Sequence, residues 1–125
     1  MINEVLIYIG SGLIIIWGIA HLVPTKAIVN GFGQISEDNR KIITMESIAE
    51  GLTLIFLGVL VLLVTTVGGT GGTVSRLVLW ASALMLLVMA LLTVLTGART
   101  SLLPYKICPV VKTAAAVLII LGVLL

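Results

Sequence analysis

Apolar residues are grouped into four long stretches, and polar residues collect in the short segments between them. The stretches cover about residues 5–23, 48–67, 77–95 and 107–125. Each has about 20 residues, so as an α-helix each can cross a hydrocarbon core about 30 Å thick. The pattern predicts an all-α integral membrane protein, a four-helix transmembrane bundle in which residues 1–125 form a single transmembrane domain.

The connections between the stretches carry signals that end and begin helices. Pro24 ends the first stretch. The connection from Thr25 to Lys41 is the longest, which is typical of a functional loop or of one that holds a short helix. Ser36 is suited to cap a helix that runs on into the second stretch. The glycine-rich segment 68–73 lacks the GxxxxGK[ST] pattern, so a flexible turn is favoured over a phosphate-binding loop.

Composition agrees with a membrane protein. Hydrophobic residues make up 60% of the chain and charged residues 10%, and the mean hydropathy is +1.32. A soluble domain is about one quarter charged, because its surface faces water. We therefore expect the lipid bilayer to be the main partner and expect no binding of nucleic acid. We also expect no separate soluble domain.

Cys108 is the only cysteine. One cysteine cannot form an intrachain disulfide, and it offers no thiol pair for a redox relay or a thiolate zinc site. Four-helix thiol oxidoreductases of the vitamin K reductase or disulfide-formation type are therefore disfavoured. We interpret Cys108 as a packing residue.

The basic residues predict the orientation. The first stretch lacks the basic start of a signal peptide, so we interpret it as a retained span. Six of the seven basic residues lie in or just beyond the first and third connections, and Arg76 alone lies on the opposite side. Basic residues favour the cytoplasmic side. The pattern predicts a multi-pass cell-membrane protein with the first and third connections in the cytoplasm and both termini outside.

With this topology, polar residues gather at the cytoplasmic end of the bundle. Aromatic residues accompany them, and the candidate ligand-binding residues are Trp17, His21, Glu46, Glu50, Arg99, Tyr105 and Lys112. Arg99 is better explained by the ordinary excess of positive charge on the cytoplasmic side than by binding of anionic head groups. Tyr105 is typical of an aromatic anchor at the membrane interface. Trp17 precedes His21 by one helical turn, which places the two rings on one face.

Lys112 lies within the fourth span. A charged side chain there costs roughly 2.5–3.5 kcal/mol, so it usually has a partner or faces a cavity. Glu50 is the preferred partner and Glu46 the second choice. The alternative is that the long side chain of Lys112 extends to the head groups.

Glu46 and Glu50 are spaced i,i+4 and share a helix face. Together with His21 they would make an acceptable metal ligand set, but carboxylates at this spacing are common in helices, and we assign no metal. For His21 a hydrogen bond to a carboxylate or a backbone carbonyl is favoured over a ligand-binding or proton-transfer role. Any proton chemistry would involve His21 with Glu50.

Three short motifs resemble the DoxX-like superfamily of small four-helix membrane proteins. They are Trp17-Gly18-Ile19-Ala20-His21, Gly31-Phe32-Gly33 and Glu50-Gly51-Leu52-x-Leu54. The resemblance implies a four-helix membrane fold, in which Glu50 corresponds to the acidic residue that opens the second helix. Some members are linked to quinone-dependent sulfur oxidation or to redox stress complexes.

Two classes of function follow from these features. In the first, the polar cluster is a pocket that binds a quinone, a lipid or another small amphiphile in a redox-linked role. In the second, the protein is a non-catalytic membrane subunit or scaffold whose polar cluster is structural, within a homo-oligomer or a larger membrane complex. No motif identifies an enzyme, a transporter or a cofactor.

Overall fold

The computed structural model describes residues 1–125, and the chain is helical almost throughout. The helices in chain order are α1 (Ile2–Leu22), α2 (Thr25–Asn30), α3 (Glu37–Gly68), α4 (Thr73–Leu95) and α5 (Leu103–Leu124), with a 3₁₀ turn at Gly97–Arg99. All except α2 are long and apolar enough to cross a membrane, and they pack as a bundle. The predicted all-α bundle of four membrane helices is therefore confirmed.

The longest helix, α3, begins well before the apolar stretch that it contains. The side chain of Ser36 accepts a hydrogen bond from the backbone N–H of Asn39, at 3.1 Å. This contact caps the helix where the sequence predicts it. The 32 residues of α3 span about 48 Å, which exceeds the thickness of the hydrocarbon core. Its first turns therefore extend beyond that core, and α2 occupies the connection that precedes them.

The four long helices follow one another in chain order around the bundle, but one neighbouring pair, α3 and α4, packs loosely. α1 packs against α3 and α5, and α5 packs against α1 and α4. α3 and α4 follow one another in the chain but make few contacts. α1 and α5 therefore form the middle of the bundle, and a groove of about 500 Å³ remains between α3 and α4.

The apolar residues divide into an interior set and an outward-facing set. Only 28 of the 125 residues are buried, and many leucine, isoleucine and valine side chains on the long helices face outward. Lipid is the environment that such a surface requires. Threonine hydroxyls donate to the carbonyl four residues earlier in the same helix, as in Thr53, Thr65, Thr93 and Thr96. Their polar groups are thus satisfied without water.

α1 and α3 approach closely where two glycines face each other. A Cβ atom on Gly18 would lie 2.8 Å from the carbonyl oxygen of Gly51, and one on Gly51 would lie 3.0 Å from that of Gly18. Small residues permit this approach between membrane helices. Gly51 directly follows Glu50, and Gly18 precedes His21 by three residues. The close approach therefore brings these two polar side chains together.

Candidate functional site

A cavity of about 260 Å³ lies where α1, α2, α3 and the start of α5 meet. It is at the end of the bundle that carries the first and third connections. The residues that line it are mostly apolar or aromatic, with a few polar groups among them: Trp17, Ala20, His21, Pro24, Ile28, Ser47, Glu50, Pro104 and Tyr105. Polar and aromatic side chains that are distant in sequence thus share one apolar enclosure.

Lys112 lies beside this cavity, behind Glu50. Its side chain is 0% exposed, whereas that of Glu50 is 30% exposed. The Lys112 ammonium pairs with Oε1 of Glu50 and donates to Oγ1 of Thr93 at 3.0 Å. The predicted pairing of Lys112 with Glu50 is confirmed, and the alternative of a side chain extended to the head groups is wrong. The pair joins α3 to α5, and Thr93 adds α4.

His21 is oriented by its own helix. Its Nδ1 lies 3.3 Å from the carbonyl oxygen of Trp17. Because a carbonyl oxygen can only accept, Nδ1 carries the proton in this hydrogen bond. The predicted hydrogen bond from His21 to a backbone carbonyl is therefore confirmed. In the neutral ring the lone pair is then on Nε2, which lies 3.6 Å from Oε2 of Glu50.

Cys108 completes the polar group. Its side chain is buried, and its Sγ lies 3.8 Å from Nε2 of His21. The indole N–H of Trp17 donates to the same sulfur at 3.3 Å. The donor atoms of His21, Glu50 and Cys108 all lie within 4.8 Å of one another. The interpretation of Cys108 as a packing residue accounts for its burial but misses these contacts.

The structure separates the predicted site residues into three groups. Trp17, His21, Glu50 and Tyr105 line the cavity, and Lys112 reaches it only through Glu50. Glu46 is exposed and lines the groove between α3 and α4, which Glu50 also borders. Arg99 is exposed in the 3₁₀ turn and borders neither space. Glu46 therefore does not join His21 and Glu50 as the spacing suggests, and Cys108 takes that place.

Sequence reasoning missed Cys108, Thr93, Ser47 and the apolar wall of the cavity. For Cys108 a signal was present, because it precedes Lys112 by four residues and so shares the helix face that Lys112 turns inward. Ser47 precedes Glu50 by three residues, which is the same kind of signal. Apolar lining residues such as Ala20 and Ile28 carry no such signal, since most of the chain is apolar.

Comparison of the chain with protein-family models, curated proteins and solved structures finds no match. The resemblance to the DoxX-like superfamily therefore has no support beyond its motif residues. What the fold establishes is coarser: the chain is a small membrane protein with four spanning helices and a buried group of His21, Glu50 and Cys108.

Proposed function

We propose that the protein binds the head group of a small membrane amphiphile, a quinone by preference, in the cavity beside His21 and Glu50. The observation that carries the proposal is the composition of the cavity, in which apolar walls enclose a few convergent polar groups. Sites for small molecules are commonly built in this way, and in helical bundles they lie between the helices.

The size of the cavity suits a head group rather than a whole lipid. Drug-sized ligands occupy pockets of about 300–1,000 Å³, and this cavity has about 260 Å³. A second apolar cavity of about 280 Å³ adjoins it at Ile28 and is lined also by Ala27, Gly31, Phe32 and Leu102. This second cavity extends the apolar surface beside the head-group site along α2, and the tail of the amphiphile would remain in the bilayer.

The charges beside the cavity favour a neutral head group over a phosphate. Glu50 presents a carboxylate to the cavity, and the ammonium of Lys112 behind it is already paired with that carboxylate. Arg99 does not line the cavity. A quinone carbonyl instead needs hydrogen-bond donors, which the Ser47 and Tyr105 hydroxyls provide. The Trp17 ring offers an aromatic face beside them.

The proposal concerns binding only. Reduction of a quinone consumes two electrons and two protons, so a redox-linked role would require a partner protein as the electron donor. The motifs that resemble the DoxX-like superfamily suggested a quinone in the first place, because some members of that superfamily are linked to quinone-dependent sulfur oxidation; the present proposal rests on the cavity instead.

Trp17 makes the proposal measurable, since it lines the cavity and only one other tryptophan, Trp80, is present. In a Trp80→Phe variant reconstituted in nanodiscs, a short-tailed quinone is expected to quench Trp17 fluorescence to saturation. A phospholipid of equal tail length should compete poorly. Quenching that rises in proportion to the quinone dissolved in the bilayer, without saturation, would contradict the proposal.

The non-catalytic subunit is the second candidate function, and one observation favours it. The pair of Lys112 with Glu50, extended to Thr93, ties three helices together at the same end of the bundle. In this case the cluster fixes the shape of a surface that docks on a partner or on a second copy of the chain. Absence of saturable quenching would favour this function over amphiphile binding.

We also propose that the cavity faces the cytoplasm, which follows from the excess of basic residues in the first and third connections. A Cys108→Ser variant removes the only native thiol. In that background an impermeant maleimide on intact cells is expected to label Gly71→Cys, between α3 and α4, but not Ser36→Cys. Labelling in the reverse order would invert the orientation.

A further inference from the structure

We propose that His21, Glu50 and Cys108 form a binding site for a divalent transition-metal ion of the zinc class. The proposal goes beyond amphiphile binding and does not depend on it, because it uses the three donor atoms and not the volume of the cavity.

Two of the three separations between the donor atoms come close to those of a tetrahedral zinc site. With Zn–N and Zn–O bonds of about 2.0–2.1 Å and Zn–S bonds of about 2.3 Å, two ligand atoms lie roughly 3.3–3.6 Å apart. Here Nε2 of His21 lies 3.6 Å from Oε2 of Glu50 and 3.8 Å from Sγ of Cys108. To reach one ion, the His21–Glu50 and His21–Cys108 pairs need to shift by a few tenths of an ångström. The Glu50–Cys108 pair, whose donor atoms lie within 4.8 Å, needs to close by up to about 1.2 Å.

Each of the three ligands is held by a second group. The backbone carbonyl of Trp17 fixes the Nδ1 side of His21 and leaves Nε2 free to coordinate. Lys112 holds Oε1 of Glu50 and leaves Oε2 toward the cluster. The Trp17 indole N–H donates to Sγ of Cys108, a contact that also stabilises a thiolate. Supporting contacts of this kind orient the ligands of metal sites in proteins.

The ligand types narrow the choice of ion. A thiolate and an imidazole beside one carboxylate suit zinc and its neighbours, whereas magnesium and calcium prefer oxygen ligands only. Binding would replace the thiol proton of Cys108, which leaves for water. The negative charges of the Cys108 thiolate and the Glu50 carboxylate then offset the two positive charges of the ion. Lys112 keeps its contact with the carboxylate. The local charge therefore changes by a single positive unit.

The number of ligands also defines the kind of site. Three protein ligands leave the fourth position of a tetrahedral ion open, which is typical of catalytic rather than structural zinc sites. Two of the three ligands, His21 and Glu50, line the cavity. The open position would therefore accept water or a ligand oxygen from that space.

Cobalt(II) provides a spectroscopic test in the tag-free protein in nanodiscs. Because Cys108 is the only cysteine, a thiolate-to-cobalt charge-transfer band can arise only from it. We expect one equivalent of Co²⁺ to produce this band and Zn²⁺ to abolish it. Cys108→Ser should remove the band, and Glu46→Gln, one helical turn from Glu50, should leave it unchanged.

Two further variants separate a built site from a thiol that binds cobalt by itself. His21→Gln should weaken Co²⁺ binding strongly. Trp17→Phe, which keeps an aromatic ring but removes the indole N–H, should weaken it by about 10-fold. Helical circular dichroism equal to the parent confirms that each variant is folded.

The metal site would be overturned if Co²⁺ produced no band, or if His21→Gln bound Co²⁺ as tightly as the parent protein. The three residues would then form a hydrogen-bonded cluster only. Quinone titration of chelator-treated protein keeps this result separate from the proposed function, because it measures the cavity without metal.

Discussion

Replacing Glu50 by leucine is expected to destabilise the protein by about 3 kcal/mol. The substitution leaves the fully buried ammonium of Lys112 with the Thr93 hydroxyl as its remaining partner. Breaking a buried ion pair by removing one partner typically costs about 3–5 kcal/mol. We place Glu50 at the low end, because its side chain is 30% exposed.

The double variant Glu50→Leu with Lys112→Met should recover most of the lost stability. Replacing a whole buried ion pair by apolar residues of similar volume is often neutral or stabilising, and Lys112 is the only charged residue that is fully buried in this bundle. The free energy of unfolding is measured by titration of the purified protein from a mild detergent into dodecyl sulfate. Glu46→Leu is the matched control, since Glu46 is exposed on the same helix.

Two results would contradict the structural role of this pair. One is a loss of unfolding free energy in Glu50→Leu that is no larger than the loss in Glu46→Leu. The other is a double variant that is as unstable as Glu50→Leu alone. Non-additivity is the informative quantity, because groups in direct contact couple whereas distant ones do not.

The pair also shows why a structural and a ligand-binding role of Glu50 are compatible. Its two carboxylate oxygens have different neighbours: Oε1 faces Lys112 within the bundle, and Oε2 faces His21 beside the cavity. One oxygen links α3 to α5 through Lys112, and this link fixes the direction of the other oxygen. The double variant Glu50→Leu with Lys112→Met should therefore be stable but unable to bind Co²⁺.

The fold was predictable because length and apolar content alone decide which segments can cross a bilayer. The ends of the helices were less predictable, because helical turns outside the hydrocarbon core need not be apolar. α3 begins at Glu37, although its apolar stretch begins near residue 48. The cap at Ser36 was the one local signal for that start.

The site was predictable where an energetic cost forced a contact. A charge inside the membrane needs a partner, and that requirement identified Glu50 for Lys112. Glu46 and Arg99 are exposed, so burial did not force them into the cluster. Cys108 is uncharged and costs little to bury, so its burial alone did not reveal its contact with His21. Which face each helix turns inward depends on how closely each neighbouring pair packs, and the loose packing of α3 against α4 has no signal in the sequence.

Filling the cavity is expected to weaken amphiphile binding while leaving the fold and the metal site intact. Ala20→Phe places a phenyl ring at the cavity wall, at a position on α1 that is not buried in the bundle. We expect quinone affinity, measured by Trp17 quenching in the Trp80→Phe background, to fall by at least about 10-fold, which corresponds to about 1.4 kcal/mol. Ile19→Phe is the matched control, because Ile19 is exposed on the same helix and does not line the cavity.

The Co²⁺ band in Ala20→Phe then distinguishes between the two proposals. Ala20 supplies no ligand atom, so loss of quinone binding with an unchanged cobalt band would place the amphiphile in the cavity and the ion on its wall. Equal quinone affinity in Ala20→Phe and Ile19→Phe would mean that the quinone binds elsewhere, for example in the groove between α3 and α4. Glu46 lines that groove and does not line the cavity, so in that case Glu46→Gln, rather than His21→Gln, should alter the affinity.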